Sequence, residues 1–226
     1  MQKSRIFIIV VILSLIPILL SCSRLTSAPV SMEGDSISEA LEYQGKKLTP
    51  LKDQLNNSLR GTQYLDKETY RLTVNGLVNN PLNLSYSDLL SLPQYSKLNT
   101  LNCVEGWDFV AKWTGPYLKD IFQQSGIQPE ARIAIFYTAD VTEGYTSLEI
   151  GYIQEKNIIL ALKINDITLP PERGFPFQVM AESKYGYKWA KWVTRIELSS
   201  DTSFKGYWEQ SGYSNQADVG GPGFGN

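Results

Sequence analysis

The 226-residue sequence contains no histidine, and this absence excludes several kinds of site at once. Zinc sites held by histidine, haem with a histidine axial ligand and catalytic triads with an imidazole base all need that residue. Cysteine is nearly as scarce: there are two, Cys22 and Cys103, and they cannot form a C-x-x-C pair. Zinc ribbons, thioredoxin-like chemistry and covalent c-type haem are therefore excluded too. Any metal must bind through thiolate or carboxylate, or arrive in a cofactor that supplies its own ligands.

The chain also lacks an excess of positive charge. Its 21 lysine and arginine residues stand against 23 aspartate and glutamate residues, so the formal net charge is −2. Non-specific nucleic-acid binding depends on neutralising phosphates, which a mildly acidic chain does poorly. We therefore expect no nucleic-acid partner. The hydrophobic fraction of 42% is ordinary for a globular protein, and the length allows one sizeable core.

The N-terminus has the pattern of a bacterial lipoprotein signal peptide. Lys3 and Arg5 form a short positive region, and residues 6–20 are apolar apart from Ser14. That run is shorter than the ~20 residues of a typical membrane-spanning helix. The string LLSC (residues 19–22) resembles a lipobox, so residues 1–21 are predicted to be removed and Cys22 to be lipidated. The alternative is an uncleaved anchor helix. Both interpretations predict an exported domain that stays tethered, by the lipid on Cys22 or by the anchor helix, to the outer face of the cytoplasmic membrane or on the periplasmic side.

Composition divides the rest of the chain into three parts. Residues 22–63 are polar and are predicted to be a tether, residues 64–214 to be the folded domain, and glycine-rich residues 215–226 to be a disordered tail. Strand patterns occur in the domain at residues 70–74, 96–104, 131–137, 145–150, 158–163, 177–180 and 189–199. Short helices are predicted after the cap candidates Ser85 and Ser87, and from Pro116 to Gly126. Strands outnumber helices without regular alternation, which favours an α+β fold.

Cys103 is the only thiol in the predicted domain, so it has no partner for an intramolecular disulfide. A lone thiol in an exported protein is hidden, paired between chains or used. Taken alone, the residue is more typical of an inert buried cysteine. Use as a metal ligand requires a thiolate, which a positive neighbourhood favours.

Candidate positive charge lies in residues 184–195, where lysine and arginine alternate with tyrosine and tryptophan and no acid occurs. This composition suits an anion with a heterocyclic body, such as a phosphorylated cofactor. The alternative is an exposed strand whose lysines extend beside aromatic rings. A polar loop at residues 138–145 follows a predicted buried strand, where it is either an ordinary turn or the rim of a pocket.

In this order the segments resemble the oxidoreductase molybdopterin-binding domain of the sulfite oxidase superfamily. The string LNCVEGWDFVAKWTGPYLKDIF (residues 101–122) is similar to the stretch whose cysteine ligates molybdenum. It is nearest the branch that contains the catalytic subunit of periplasmic methionine-sulfoxide reductase. The string KYGYKWAKWVTRIEL (residues 184–198) resembles the family's C-terminal signature. The resemblance implies a sulfite-oxidase-type fold with mixed β-sheets and short helices, and a molybdenum–molybdopterin cofactor.

The resemblance also implies roles for single residues. Cys103 matches the catalytic thiolate that ligates molybdenum, and Thr138 matches a threonine that contacts the pterin. A thiolate suits a soft metal centre, and lysine neutralises phosphate. The stretch that holds the cofactor includes Lys188, Trp189, Ala190 and Lys191.

The chain departs from the family pattern in several respects, among them Glu182-Ser183 in place of a usual Pro-Gly and an N-terminal pterin-contacting segment with no clear match. Two further departures bear most directly on the cofactor. Gln178 stands where the family has an arginine that contacts the cofactor or an anionic substrate. Arg173, five residues earlier, is the candidate to replace it, and both residues are included among the cofactor-binding candidates. The twin-arginine pair that is typical of exporting a prefolded protein is missing from residues 1–21.

The sequence thus predicts a membrane-tethered molybdenum-pterin oxidoreductase that performs two-electron oxygen-atom transfer on a small sulfur-type substrate. Since the chain has no haem motif, electrons are expected to pass through a separate partner, such as a membrane cytochrome or a quinone-linked subunit. The alternative hypothesis is a non-catalytic lipoprotein that keeps the fold as a binding module without cofactor. Gln178 and the missing twin-arginine pair motivate that alternative.

Overall fold

The computed structural model describes residues 38–225. The predicted signal peptide, the predicted lipidation site Cys22 and the first part of the predicted tether lie outside these residues. Within residues 38–225, none of the helices has the length and apolar character needed to cross a membrane.

Four α-helices occur in the described chain: α1 (Tyr86–Ser91), α2 (Leu118–Ser125), α3 (Ile150–Glu155) and α4 (Tyr207–Gln210). The strands of the same residues are β1 (Glu42–Tyr43), β2 (Lys46–Lys47), β3 (Arg71–Gly76), β4 (Leu82–Ser85), β5 (Tyr95–Asn102), β6 (Asp108–Gly115), β7 (Ile133–Thr138), β8 (Val141–Glu149), β9 (Ile159–Ala161), β10 (Lys163–Ile164), β11 (Ile167–Thr168), β12 (Gln178–Met180) and β13 (Val193–Ser199). Single 3-10 turns cover Leu51–Asp53, Pro171–Arg173 and Gly186–Lys188.

The strands form one large sheet and several small ones. The large sheet has the order β4-β3-β13-β7-β8, in which β3 and β13 run parallel and the other neighbours run antiparallel. An antiparallel sheet has the order β11-β10-β6-β5, β9 pairs with β12, and β1 pairs with β2. Mixed sheets with short helices confirm the α+β prediction.

A single buried cluster joins the large sheet to the smaller ones. Strand β6 shows how the sequence builds it, because Phe109, Ala111 and Trp113 are buried while the residues between them are partly exposed. Successive side chains of a strand point to opposite faces, so this alternation assigns one face of β6 to the core.

The local helix signals act as the sequence indicates. Ser85 caps α1 through a reciprocal capping box with Asp88, which satisfies two backbone donors at the helix start. Helix α2 ends at Gly126, whose φ of 66° lies in the left-handed region that glycine adopts without strain. Both predicted helices are therefore confirmed.

The last predicted strand is shorter than expected. Residues 189–199 were predicted to be extended, but β13 begins only at Val193. Trp192 has a φ of 53°, and its indole N–H donates to the carbonyl of Pro171 at 2.7 Å. This left-handed residue breaks the extended run, so residues 189–192 form a turn rather than part of the strand.

The prediction of a tether at residues 22–63 is wrong for its second half, where residues 48–55 are packed on the domain. Leu48 is buried, and the Thr49 N–H donates to the carbonyl of Val110 in β6 at 2.8 Å. The carbonyls of Gln54 and Leu55 accept hydrogen bonds from Arg173. The polar composition of this segment reflects a chain that lies on the surface of the domain, with its backbone groups paired to it.

The predicted disorder of the tail is also wrong for residues 215–225. Ala217 is fully buried, and its carbonyl accepts from the Tyr185 N–H at 2.8 Å. The rings of Tyr213 and Phe224 pack with centroids 4.4 Å apart. The glycines of this segment allow tight turns, among them Gly220 with a φ of 87°, so a glycine-rich composition here serves an ordered path.

Candidate active site

A cavity of about 560 Å³ lies where several loops meet. Strand β5 leads into the loop that carries Cys103, and β7 leads into the turn that carries Asp140. The other walls include the 3-10 turns Pro171–Arg173 and Gly186–Lys188, the turn at residues 189–192, helix α4 and the N-terminal segment, by which we mean residues 48–59. The lining includes Asn56, Asn57, Cys103, Glu105, Trp107, Asp140, Tyr145, Arg173, Gln178, Tyr187, Trp189, Lys191, Trp208 and Tyr213.

Cys103 is presented by a tight loop after β5. Its N–H donates to the carbonyl of Trp107 at 2.8 Å, and its own carbonyl accepts from the N–H of Gly106 at 3.1 Å. Burial raises the pKa of the Cys103 thiol, and the Glu105 carboxylate adds to this, while the backbone N–H groups of Glu105 and Val104 oppose it. Burial is thus the main cause of the raised pKa of the thiol, and no lysine of residues 38–225 is among its causes. A metal must displace the proton for the thiolate to bind.

Glu105 is fixed beside the thiol. Its Oε2 accepts a hydrogen bond from Asn57 Nδ2 at 2.9 Å and another from the Trp107 indole at 3.0 Å. These two donors hold the pKa of the Glu105 carboxyl below its usual range. The carboxylate therefore links the N-terminal segment to the Cys103 loop.

Arg173 lies in the wall of the cavity with 5% of its surface exposed. Its guanidinium donates to the carbonyl of Leu55 at 2.9 Å and to that of Gln54 at 2.6 Å, and it lies 4.9 Å from the centre of the Phe109 ring. Burial lowers the pKa of Arg173 to about 10. Since the group is still a cation at neutral pH, it is a buried positive charge in the cavity wall.

Lys191 supplies the second cation, and the turn that precedes β13 places it there. Its Nζ donates to Asn56 Oδ1 at 2.9 Å and to the carbonyls of Asn57 and Glu172. Burial, aided by the charge of Arg173, lowers the pKa of Lys191 to about 8. Two like charges in one wall make the site suitable for an anion such as phosphate.

Gln178 brings an unpaired acceptor to the same cavity. The side chain is 3% exposed, and its Nε2 donates weakly to the carbonyl of Trp189 at 3.4 Å. Its Oε1 has no hydrogen-bond partner. A buried acceptor without a partner costs roughly 1–3 kcal/mol, so a ligand that donates to it would be stabilised here. Trp189 also lines the cavity, and its indole N–H donates to the carbonyl of Lys184 at 2.9 Å.

Thr138 lies behind the wall rather than in it. The residue is buried at the end of β7, and its hydroxyl donates to Asp140 Oδ1 at 2.8 Å. It is Asp140 that lines the cavity, so Thr138 acts on the site by orienting this carboxylate. Tyr145, from the next strand, also lines the cavity, and burial raises the pKa of its phenol.

Lys188 and Ala190 do not line the cavity. The Lys188 ammonium is 0% exposed and is held by Glu209, by Asn215 Oδ1 at 3.0 Å and by the carbonyl of Ser147 at 3.2 Å. Ala190 is fully buried, and its carbonyl accepts from the Val179 N–H. Of the predicted cofactor-binding residues, the structure brings together Cys103, Arg173, Gln178, Trp189 and Lys191 in one cavity.

Sequence reasoning missed the residues that close the cavity from the two ends of the chain. Asn56 and Asn57 lie in the part that polarity assigned to a tether, and Trp208 and Tyr213 precede the part that glycine content assigned to a tail. The available signal for Trp208 and Tyr213 was the string GYWEQSGY (residues 206–213), because tyrosine and tryptophan are common in cores and interfaces. Asn56 and Asn57 had no distinctive signal in a polar segment.

An α+β fold around a cavity with one thiol, two cations and an amide oxygen without a partner is typical of a cofactor-binding domain. The sequence profile of the family "Oxidoreductase molybdopterin binding domain" matches residues 60–208. The chain belongs to this family, and molybdenum–molybdopterin is the cofactor that the family implies.

Three relatives agree with this assignment. The protein named uncharacterized oxidoreductase YuiH of Bacillus subtilis is 32% identical over 157 residues, which cover 69% of this chain and 77% of that protein. A putative protein-methionine-sulfoxide reductase subunit, YedZ1 of Azospira oryzae, is 31% identical over 149 residues, covering 66% of this chain and 56% of its own length. Human mitochondrial sulfite oxidase is 28% identical over 177 residues, covering 66% of this chain and 32% of its own length.

A solved structure shows the same fold. The sulfane dehydrogenase SoxCD from Paracoccus pantotrophus matches with a TM-score of 0.65 at 20% identity, covering 80% of this chain and 55% of that one. The chain therefore spans about half the length of the SoxCD chain and of the Azospira relative.

The residues of the cavity fit a molybdopterin. The Cys103 sulfur is a soft donor of the kind that suits such a metal centre. Arg173 and Lys191 provide positive charge for a phosphate, and the orphaned Oε1 of Gln178 is an acceptor for an N–H group of a heterocycle. Gln178 thus offers a polar contact where an arginine was expected from the resemblance.

Proposed function

We propose that the chain is the catalytic domain of a molybdenum-pterin oxidoreductase that transfers an oxygen atom to or from a small sulfur-type substrate. The observation that supports this most directly is the position of Cys103. It is the free thiol of residues 38–225, and it lines a cavity together with two cations and an amide oxygen that has no partner.

Each of these residues has a task in holding the cofactor. Cys103, as a thiolate, would ligate molybdenum, and Arg173 and Lys191 would neutralise the phosphate. The Gln178 amide oxygen would accept a hydrogen bond from the pterin. The bound cofactor supplies the two-electron redox chemistry that these side chains lack.

The side chains of the protein, rather than the cofactor, would position the protons that the reaction consumes or releases. Removing an oxygen atom from a sulfoxide consumes two electrons and two protons and releases water, and the reverse reaction releases them. The phenol of Tyr145 is protonated at neutral pH, and burial raises its pKa further, so the residue is a hydrogen-bond donor in the cavity lining. The rings of Trp107 and Tyr187 line the same space and make part of its surface apolar.

The electrons would be exchanged with a separate protein, such as a membrane cytochrome or a quinone-linked subunit. The sequence has no histidine and no C-x-x-C pair with which to hold a haem. A lipid on Cys22 would keep the domain outside the cytoplasmic membrane and close to such a partner. The lipobox string at residues 19–22 supports this part of the proposal.

The molybdenum content of the full-length protein tests the proposal. Protein purified from the membranes of a host that makes the cofactor should contain close to one molybdenum per chain by mass spectrometry. Cys103→Ser should lose most of the metal while keeping the circular dichroism spectrum of the folded chain. The control Ser96→Ala, which removes a hydroxyl paired with Thr114 outside the cavity wall, should keep it. Less than about a tenth of an equivalent in the unaltered protein would contradict the proposal.

One observation favours a second candidate, a binding module without cofactor. Both cations of the cavity already donate to carbonyls of the chain itself, at Gln54 and Leu55 for Arg173 and at Asn57 and Glu172 for Lys191. Metal-free protein from the same host, in which Cys103 is alkylated to completion in the native state, would favour this candidate over the enzyme.

A further inference from the structure

The C-terminal cover, which we define as residues 207–224, forms a wall of the cavity and lies almost wholly beyond the family match that ends at residue 208. Trp208 at its start and Tyr213 in its first turn both line the cavity. A glycine of the cover, Gly223, lies against Val104, since a Cβ at Gly223 would be 3.4 Å from Val104 Cγ1. The cover therefore touches the loop that carries Cys103.

Two ion pairs fasten the cover to the domain. Glu209 pairs with Lys188 in the interior, and Asp218 pairs with Lys184 at 2.6 Å nearer the surface. Between them, the Ala217 carbonyl accepts from the Tyr185 N–H at 2.8 Å. Lys184, Tyr185 and Lys188 lie in or next to the 3-10 turn that carries Tyr187. These contacts therefore hold the cover and the Tyr187 turn together as one unit.

The rings of this unit make an aromatic surface on the cavity. Tyr187 and Tyr213 meet edge to face with centroids 5.1 Å apart, and Trp208 and Tyr213 do the same at 5.1 Å. Rings in this arrangement restrain each other, so the surface is prearranged for a flat ligand. The Trp107 ring, on the Cys103 loop, lines the cavity as well.

Once a cofactor phosphate is bound to Arg173 and Lys191, the charges that remain in the cavity are unfavourable for an anionic substrate. Its cations, Arg173 and Lys191, are bonded to chain carbonyls and face the phosphate in the proposed function. The other charged groups in the lining are the carboxylates of Glu105 and Asp140. An oxyanion would approach carboxylates with no uncommitted cation among the lining residues to receive it.

We propose that the C-terminal cover determines substrate specificity, with Trp208 and Tyr213 selecting a neutral substrate that has a flat aromatic face over an inorganic oxyanion. The inference rests on the proposed function and deepens it by naming the substrate class. The rings supply area and orientation, and the carboxylates disfavour the anion, so discrimination comes from both attraction and repulsion.

Kinetics of the molybdenum-loaded protein test this selection. With a reduced viologen as electron donor, kcat/KM for methyl phenyl sulfoxide should exceed that for dimethyl sulfoxide by at least about tenfold. Tyr213→Leu and Trp208→Leu should each remove most of this advantage, chiefly by raising KM for the aryl sulfoxide. The control Tyr64→Leu, at a ring that is 83% exposed, should leave the ratio of the two kcat/KM values unchanged. Faster turnover of sulfite with ferricyanide than of either sulfoxide, or an aryl preference that survives both substitutions, would overturn the inference.

A binding measurement separates this inference from the proposed function. Methyl phenyl sulfone, which resembles the aryl substrate but lacks the sulfoxide, is titrated by calorimetry into the full chain and compared with sulfate. Sulfone binding that weakens at least about tenfold in Tyr213→Leu supports the cover as a selective surface even in protein that holds no molybdenum. In molybdenum-loaded protein, where Arg173 and Lys191 hold the phosphate, sulfate binding in preference to the sulfone overturns it. In protein without cofactor, sulfone binding that is unchanged in Tyr213→Leu and in Trp208→Leu overturns it, whatever the molybdenum content shows about the enzyme.

Discussion

The ammonium of Lys188 and the carboxylate of Glu209 form an ion pair whose side chains are 0% and 1% exposed. Thr146 donates to the same Glu209 oxygen at 2.6 Å, and the other carboxylate oxygen has no hydrogen-bond partner. Burial lowers the pKa of Lys188, and the charge of Glu209 opposes that change. The pair joins α4 to the 3-10 turn Gly186–Lys188, so it connects the C-terminal cover to the rest of the site.

Breaking this pair from one side should destabilise the domain strongly. Glu209→Gln leaves a buried ammonium without a counter-charge, and we expect the free energy of unfolding to fall by about 3–5 kcal/mol. Replacing both partners, as Lys188→Met with Glu209→Leu, should regain part of that loss because no charge is then buried. Denaturant unfolding followed by circular dichroism measures both. The control Glu155→Gln, at a side chain that is 73% exposed, should change the free energy by less than about 1 kcal/mol.

Arg173 should hold the N-terminal segment on the domain. Arg173→Lys keeps the charge but loses the fork that donates to the carbonyls of Gln54 and Leu55. We expect faster hydrogen exchange at residues 48–58 and a loss of about 1.5–3 kcal/mol of unfolding free energy, the range for hydrogen bonds to charged groups. Arg132→Lys, at an exposed arginine outside the cavity wall, is the control. Unchanged exchange in residues 48–58 would show that the segment is held by other contacts.

Lys191 should make stability depend on pH in a defined direction. Its pKa falls from the ordinary 10.5 to about 8 in the folded chain. Between these values the unfolded chain binds a proton that the folded chain has released, so the unfolding free energy rises with pH across this window. The difference in unfolding free energy between the unaltered protein and Lys191→Met should therefore grow between pH 8 and 10.5 and be flat below pH 7.

The comparison needs a lysine that does not line the cavity. Lys52 is exposed, and Lys52→Met should leave the slope of unfolding free energy against pH unchanged. A flat difference for Lys191→Met over the whole window would contradict the prediction.

The Cys103 thiol should react slowly in protein without cofactor. Burial and the Glu105 carboxylate raise its pKa, so little thiolate is present at pH 7. With Cys22 changed to serine, Cys103 is the only thiol of the chain, and its alkylation by iodoacetamide can be followed directly. We expect a rate below that of free glutathione at pH 7 that climbs steadily toward pH 10.

Glu105→Gln provides the matched test of the cause. Removing the carboxylate should raise the alkylation rate at a fixed pH, although less than full exposure would, because burial is the larger cause. A rate faster than glutathione at pH 7 in the unaltered protein would show that a cation acts on the thiol after all.

Elements with a strong local signal were predictable. Ser85 with Asp88, and Gly126 after α2, satisfy helix ends with groups that are close in sequence, so their effect does not depend on the remainder of the fold. The turn at residues 189–192 was not predictable in this way. An alternating pattern favours a strand, but Trp192 is held in a left-handed conformation by a hydrogen bond to Pro171, which is distant in sequence.

The sequence by itself determined the class of chemistry. The missing histidine and the single thiol of the domain restrict the metal chemistry, and the strings around Cys103 and Lys191 match one cofactor family over residues 60–208. These conclusions depend on which residues are present and on their order, and a linear sequence contains that information.

Only the tertiary structure decided which lysine serves the cavity and what closes it. Lys188 and Lys191 are three residues apart, yet Lys188 is buried against Glu209 and Lys191 lines the cavity. The turn at residues 189–192 separates them, because it changes the direction of the backbone at Trp192. The asparagines at 56 and 57 and the rings at 208 and 213 reach the cavity from opposite ends of the chain. Hydrogen bonds and packing between residues that are distant in sequence position them there, and neither composition nor local periodicity records those contacts.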